Sequence, residues 1–282
     1  MKTQIKLIFP IVTGALVAFP FMSACSSHAY KIHKIVRVAG CQGVASTKNY
    51  YYNSNNDTIH RYNLNWEHNS EIDNIYQYFQ DPQANHHIGD LEVYNGKIYA
   101  VGENFDGTKG TNIKMGIFNA NTLVFETTED LYPDEHGLCE ISGVTVVPKT
   151  NSIWVSSWYD GPDSDSGHYL YEYSLSDYSF KRKVETKPYA KRIQGIKYYD
   201  GYIWATCDDG SNKKDDGDTV DHLYRIDVSN QTSQSAPAKL VHTFEELPHT
   251  NELEGITFDY NTKEMMVMQN ISGGMVYIYN KF

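Results

Sequence analysis

The residues best suited to chemistry sit in short motifs built around a glycine. Asn251-Glu252-Leu253-Glu254-Gly255 and His87-Ile88-Gly89-Asp90 carry acids and an imidazole. Such groups suit general acid/base work, with Glu254 acting beside Asp90 or His87. Glu254 carries the expectation furthest, because a carboxylate facing an enclosed space needs a cation, a donor or water. Two acidic stretches, 158–167 and 207–221, add Asp160, Asp163 and Asp165, then Asp208, Asp209, Asp215, Asp216, Asp218 and Asp221. Carboxylates clustered with Gly and Ser suit oxygen coordination of calcium. Neither stretch matches the full EF-hand loop, and a solvated acidic loop is the plainer reading. The sequence has no Gly-x-Ser-x-Gly elbow, phosphate loop, His-Glu-x-x-His or dinucleotide fingerprint.

These motifs recur, and the recurrence says what must position them. Cys41-Gln42-Gly43-Val44, Ile88-Gly89-Asp90-Leu91, Ile141-Ser142-Gly143-Val144, Ile193-Gln194-Gly195-Ile196 and Leu253-Glu254-Gly255-Ile256 align, with starts 47, 53, 52 and 60 residues apart. After each comes a short strand and, in two copies, a hairpin dipeptide, Asn95-Gly96 or Asp200-Gly201. A second strand follows, then a variable loop, then a third strand such as Leu223-Tyr224-Arg225-Ile226-Asp227. A looser fourth strand leads into the next copy. Four antiparallel strands repeated at this period predict an all-β fold, a five-bladed β-propeller; the alternative is an irregular β-sandwich. The last copy reaches Phe282 after its third strand, whereas residues 31–38 are strand-like and precede the first copy. That N-terminal strand is expected to complete the last blade and close the ring, removing exposed edges.

In such a ring the first strand of each blade lines the central channel. Gln42, Gly89, Ser142, Gln194 and Glu254 then form one ring at the channel mouth, flanked by His87, Asp90, Glu140 and Glu252. Long loops at 102–112, 158–167 and 207–221 are expected above it. Gln42, Ser142, Gln194 and Trp158 are the candidate ligand-binding residues, although such Gln and Ser side chains also brace neighbouring blades by bonding to backbone.

Cys41-Gln42-Gly43-Val44 with Tyr50-Tyr51-Tyr52, and Asn251-Glu252-Leu253-Glu254-Gly255, resemble the lactonase-like and glutaminyl-cyclotransferase-like propellers across most of 35–282. The resemblance implies carboxylates, Asn and sometimes a divalent metal at the channel mouth, parts that Glu254, Asp208 and Asn270 would take here. Gln194 and Ser142 stand where other copies would carry acids.

The N-terminus reads as an export signal over 1–24. Lys2 and Lys6 precede an apolar run, and Met22-Ser23-Ala24-Cys25 resembles a bacterial lipobox with Met for the usual Leu. It implies a lipid on Cys25, a linker over 25–30 and a propeller domain over 31–282. Cleavage after Ala29 and an uncleaved anchor are the alternatives. Ser26 resembles the sorting signal for the outer membrane of Gram-negative bacteria, which places the protein in the cell envelope. Losing the two lysines takes the net charge from −11 to −13, a surface that repels phosphate backbones and argues against nucleic acid as a partner. Cys41, Cys139 and Cys207 remain, enough for one disulfide and a spare thiol in an oxidising compartment. Two functions stay open: a lipoprotein that binds a small molecule, glycan or protein at the channel mouth, and a hydrolytic or cyclising enzyme that uses the carboxylates, with calcium as the cofactor to consider.

Overall fold

The computed structural model describes residues 30–79, 86–106, 109–131, 136–159, 167–208, 220–248, 250–271 and 273–280. Residues 1–24, expected to be an export signal, Cys25, and the acids at 160–165 and 209–218 lie outside them.

The described residues contain twenty strands. The first, β1 (Ile32–Arg37), precedes a meander of β2 (Val44–Ser46), β3 (Tyr51–Ser54), β4 (Ile59–Tyr62) and β5 (His68–Ile72). The second meander is β6 (His86–Tyr94), β7 (Lys97–Phe105), β8 (Gly110–Asn119) and β9 (Phe125–Asp130). The third is β10 (Val144–Val147), β11 (Ser152–Ser156), β12 (Tyr169–Ser174) and β13 (Phe180–Lys187). The fourth is β14 (Ile193–Tyr199), β15 (Tyr202–Cys207), β16 (His222–Ile226) and β17 (Ser235–Thr243). The last is β18 (Leu253–Phe258), β19 (Met265–Gln269) and β20 (Met275–Tyr279). There β1 pairs antiparallel with β20, Ile35 opposite Tyr277 and Arg37 opposite Met275, so the N-terminal strand completes this sheet. The third and fourth meanders merge into one eight-stranded sheet through a short parallel contact, Glu185–Lys187 against Ser235–Pro237.

The hairpin dipeptides act as their sequence predicts. Asn95 and Gly96 take φ 48° and 76°, and Asp200 and Gly201 take 48° and 86°. Two consecutive positive φ values match the right-handed twist of the flanking strands.

Strands β2, β6, β10, β14 and β18 pack against one another in turn, and β18 returns to β2. Between each pair of neighbouring meanders lies an apolar cluster. Tyr52 and Ile59 meet Ile98 and Phe118, Val101 and Met115 meet Ile153 and Tyr171, and Trp154 and Leu170 meet Ile203 and Ile226. Trp204 and Leu223 then meet Val267 and Tyr279, and Met266 and Val276 meet Val44 and Tyr62. Burial of one such side chain contributes about 1.5–3 kcal/mol, so the core is a ring of wedges. The fold is an all-β propeller.

Two expectations need correction. The stretch 102–112 is mostly ladder, because β7 runs to Phe105 and β8 begins at Gly110. No disulfide joins Cys41, Cys139 and Cys207, so the one pairing their number allows is not formed among the described residues; Cys207 sits in the apolar core and Cys41 in a cavity wall.

Candidate functional site at the channel mouth

The glycines of the repeat let the inner strands converge. A Cβ on Gly255 would stand 2.7 Å from Gly43 Cα, and one on Gly195 would stand 2.5 Å from Gly255 Cα. Side chains do not fit at such an approach, so glycine alone closes the ring. Hydrogen bonds then join each meander to the next. Ser54 Oγ donates to Gly89 O (2.7 Å), Asp90 N to Ser142 O (2.6 Å) and Ser142 Oγ to Ile193 O (2.6 Å). Thr206 Oγ1 donates to Glu254 O (2.5 Å) and Gly255 N to Gln42 O (2.8 Å).

Three inner strands carry one extra residue at this level. Register shifts between Ile88 and Leu91, Ile193 and Gly195, and Leu253 and Ile256 place bulges at Gly89-Asp90, Gln194 and Glu254-Gly255. A bulge re-aims a side chain and is common beside functional sites. Gln194 and Glu254 thereby reach the wall of a cavity of about 500 Å³. Its acids are Glu140, Glu252 and Glu254, its amides Gln42, Asn56, Gln194 and Asn270, and Phe105 and Trp158 supply aromatic walls beside His87.

On one side, Asn270 Nδ2 stands 3.3 Å from Glu252 Oε2 and 3.4 Å from Glu254 Oε1. Burial pushes the Glu254 carboxyl well above its ordinary range, Glu252 and Asp208 push the same way, and the Asn270 amide opposes them. Burial, then Asp208, also raises Glu252. Burial and the neighbouring Glu254 push the Cys41 thiol up to about 11, so it stays protonated at neutral pH and is no nucleophile.

On the other side, His87 and Glu103 face each other across β6 and β7. His87 Nε2 lies 3.2 Å from Gln42 Oε1, while Nδ1 lies 3.6 Å from Glu103 Oε1, too long for a hydrogen bond. Neither Nδ1 nor Oε1 has a hydrogen-bond partner among the described residues. Burial lowers the His87 pKa, against the pull of Glu140 and Glu252. Burial raises Glu103 well above its usual range, opposed by the Ile141 N–H. Glu140 is pushed up to about 8, by burial first and Glu103 second; His87 and the N–H groups of Trp158 and Tyr159 oppose this. Its Oε2 accepts from Trp158 N at 2.5 Å and Ser157 Oγ at 3.3 Å. The donor atoms of His87, Glu103 and Glu140 lie within 4.8 Å of one another, close enough to share a metal ion.

The cavity gathers Glu254, His87, Gln42, Gln194, Trp158 and Asn270 from the residues expected by sequence. Asp208 is fully buried beside it and acts on Glu252 and Glu254 through its charge. Two expected residues are elsewhere. The Ser142 hydroxyl is buried as a brace to Ile193 O and Ser156 Oγ. Asp90 lies against the glycine ring, where Oδ1 accepts from Val44 N (3.2 Å) and Leu91 N (2.8 Å), because its bulge turns it inward. Glu103 went unnoticed in the sequence because the stretch containing it read as loop. The available signal was that Glu103 continues the alternate positions of Tyr99 and Val101 along one strand face.

No family model and no curated protein matches the sequence. Among solved structures, a glutaminyl cyclase from Myxococcus xanthus superposes with a TM-score of 0.61 at 12% identity, covering 89% of this chain and 95% of that one. A gluconolactonase from Xanthomonas campestris gives 0.48 at 12% identity over 85% and 72% of the two chains. A PQQ-bound aldose sugar dehydrogenase from Streptomyces coelicolor gives 0.47 at 10% identity over 89% and 98%. At such identity the likeness concerns the fold, a propeller.

Proposed function

We propose that this chain is an exported lipoprotein, tethered to the cell envelope through Cys25, whose five-bladed propeller binds a small ligand with a positively charged amine. The observation that carries this reading is the convergence of Glu140, Glu252 and Glu254 on one cavity walled by Phe105 and Trp158. Buried carboxyls have lost hydration, and a cation restores favourable electrostatics. Aromatic faces add cation–π attraction, and the cavity volume suits a small molecule. Five blades follow if the two meanders of the eight-stranded sheet count separately, since only three residue pairs at their outer edges join them. Calcium on Glu254 and Asn270, with Asp208 buried behind them, would be a further occupant of the cavity. It would require Asn270 to turn its oxygen inward, because the amide now presents Nδ2 to both glutamates.

A second reading rests on Glu140. An acid with a pKa of about 8 keeps its proton at neutral pH and can deliver it to a leaving group. The glutaminyl cyclase neighbour's name points to cyclisation of a glutaminyl group; here such a reaction would use the acid to protonate the leaving ammonia as a free α-amine attacks the side-chain amide carbon. Calorimetry with a panel of primary amines and glutaminyl peptides tests both readings. Binding that weakens about tenfold or more in Glu254→Gln, without loss of folding, supports the first. Ammonia release abolished by Glu140→Gln supports the second. Failure of every amine to bind refutes both.

A further inference from the structure

We propose a second site, for a divalent transition-metal ion such as zinc, on the outer strands β4 and β5, made by His60, His68 and Glu71. It is separate from the channel-mouth reading and does not depend on it. Glu71 Oε2 lies 3.0 Å from His60 Nδ1 and 3.3 Å from His68 Nε2, and the three donor atoms fall within 4.8 Å of one another. A tetrahedral zinc with ligands at 2.0–2.1 Å separates its donors by about 3.3 Å. The donors thus already stand close to coordinating positions, and imidazole with a carboxylate is a set that selects zinc, copper or nickel over calcium.

The local chain is built to hold this arrangement. His60 lies opposite Glu71, and Tyr62 lies opposite His68. His68 and Glu71 are three residues apart and would face opposite sides of a regular strand. The register shift between Arg61 and Tyr62 makes Asn69 an extra residue, which returns His68 to the face of Glu71. Arg61 pins that bulge, with Nε and Nη2 donating to Asn69 Oδ1 at 3.0 and 2.7 Å. His60 is nearly buried and fixed by packing, whereas His68 and Glu71 are about half exposed and leave the ion reachable from solvent. Three protein ligands leave a fourth position for water.

Zinc titration of the full chain in detergent tests the site. A His87→Ala background removes the nitrogen donor of the channel cluster. In that background the chain should take up one zinc, and adding His68→Ala or Glu71→Gln should weaken uptake about tenfold or more. Circular dichroism checks that these half-exposed substitutions leave the fold intact. No zinc uptake in the His87→Ala chain, or uptake unchanged by both added substitutions, overturns the proposal.

Discussion

Glu140→Gln offers a direct test of the channel-mouth electrostatics. Glutamine keeps the size and the acceptor for Trp158 N but cannot ionise. Burial raises Glu140 from its ordinary 4.5 to about 8 in the folded chain. Between those values the folded state holds a proton that the unfolded chain has released. The stabilisation is therefore complete below pH 4.5 and is lost as pH rises through about 8. At about 1.4 kcal/mol per factor of ten, the whole effect is about 5 kcal/mol. About 2–3 kcal/mol of it falls between pH 6 and 9. Urea unfolding of both proteins across that range isolates the difference, since Glu252 and Glu254 titrate in both. Wild type should lose about 2–3 kcal/mol relative to Glu140→Gln as pH rises from 6 to 9. Parallel stability curves would refute the burial argument. A cationic ligand that needs ionised Glu140 should bind more tightly over the same rise, by up to about tenfold per pH unit below 8.

Gly255→Ala should destabilise by about 2 kcal/mol or more, measured by urea unfolding, because its Cβ meets the Gly43 backbone. Deleting residues 31–38 should bare the edge of β20 and cause aggregation, visible by light scattering; a monomeric, folded deletion would sink the closure argument. Cys25→Ala should remove the lipid mass and membrane retention; unchanged membrane association would point to an uncleaved anchor.

The sequence was sufficient for the sheet architecture because its signals are local. Alternating strands, the Asn-Gly and Asp-Gly turns and five in-phase Gly motifs each act over a few residues. The strand-like segment 31–38, placed ahead of the first copy as the fourth strands are placed ahead of the others, implied its pairing with the last copy. Glu254, Gln42 and Gln194 were legible as channel residues for the same reason, since their place follows from the repeat. What tertiary structure decided lies in register and bulges, which depend on partners distant in the chain. Strand β7 extends through a polar stretch that reads as loop, because backbone bonding to β6 and β8 outweighs composition. That extension sets Glu103 opposite His87 and beside Glu140, three residues with no common spacing in sequence. One extra residue at Gly89-Asp90 turns Asp90 away from the mouth, and one at Asn69 brings His68 to Glu71. A one-residue slip exchanges the faces of a strand, so no reading of side-chain alternation could have assigned either.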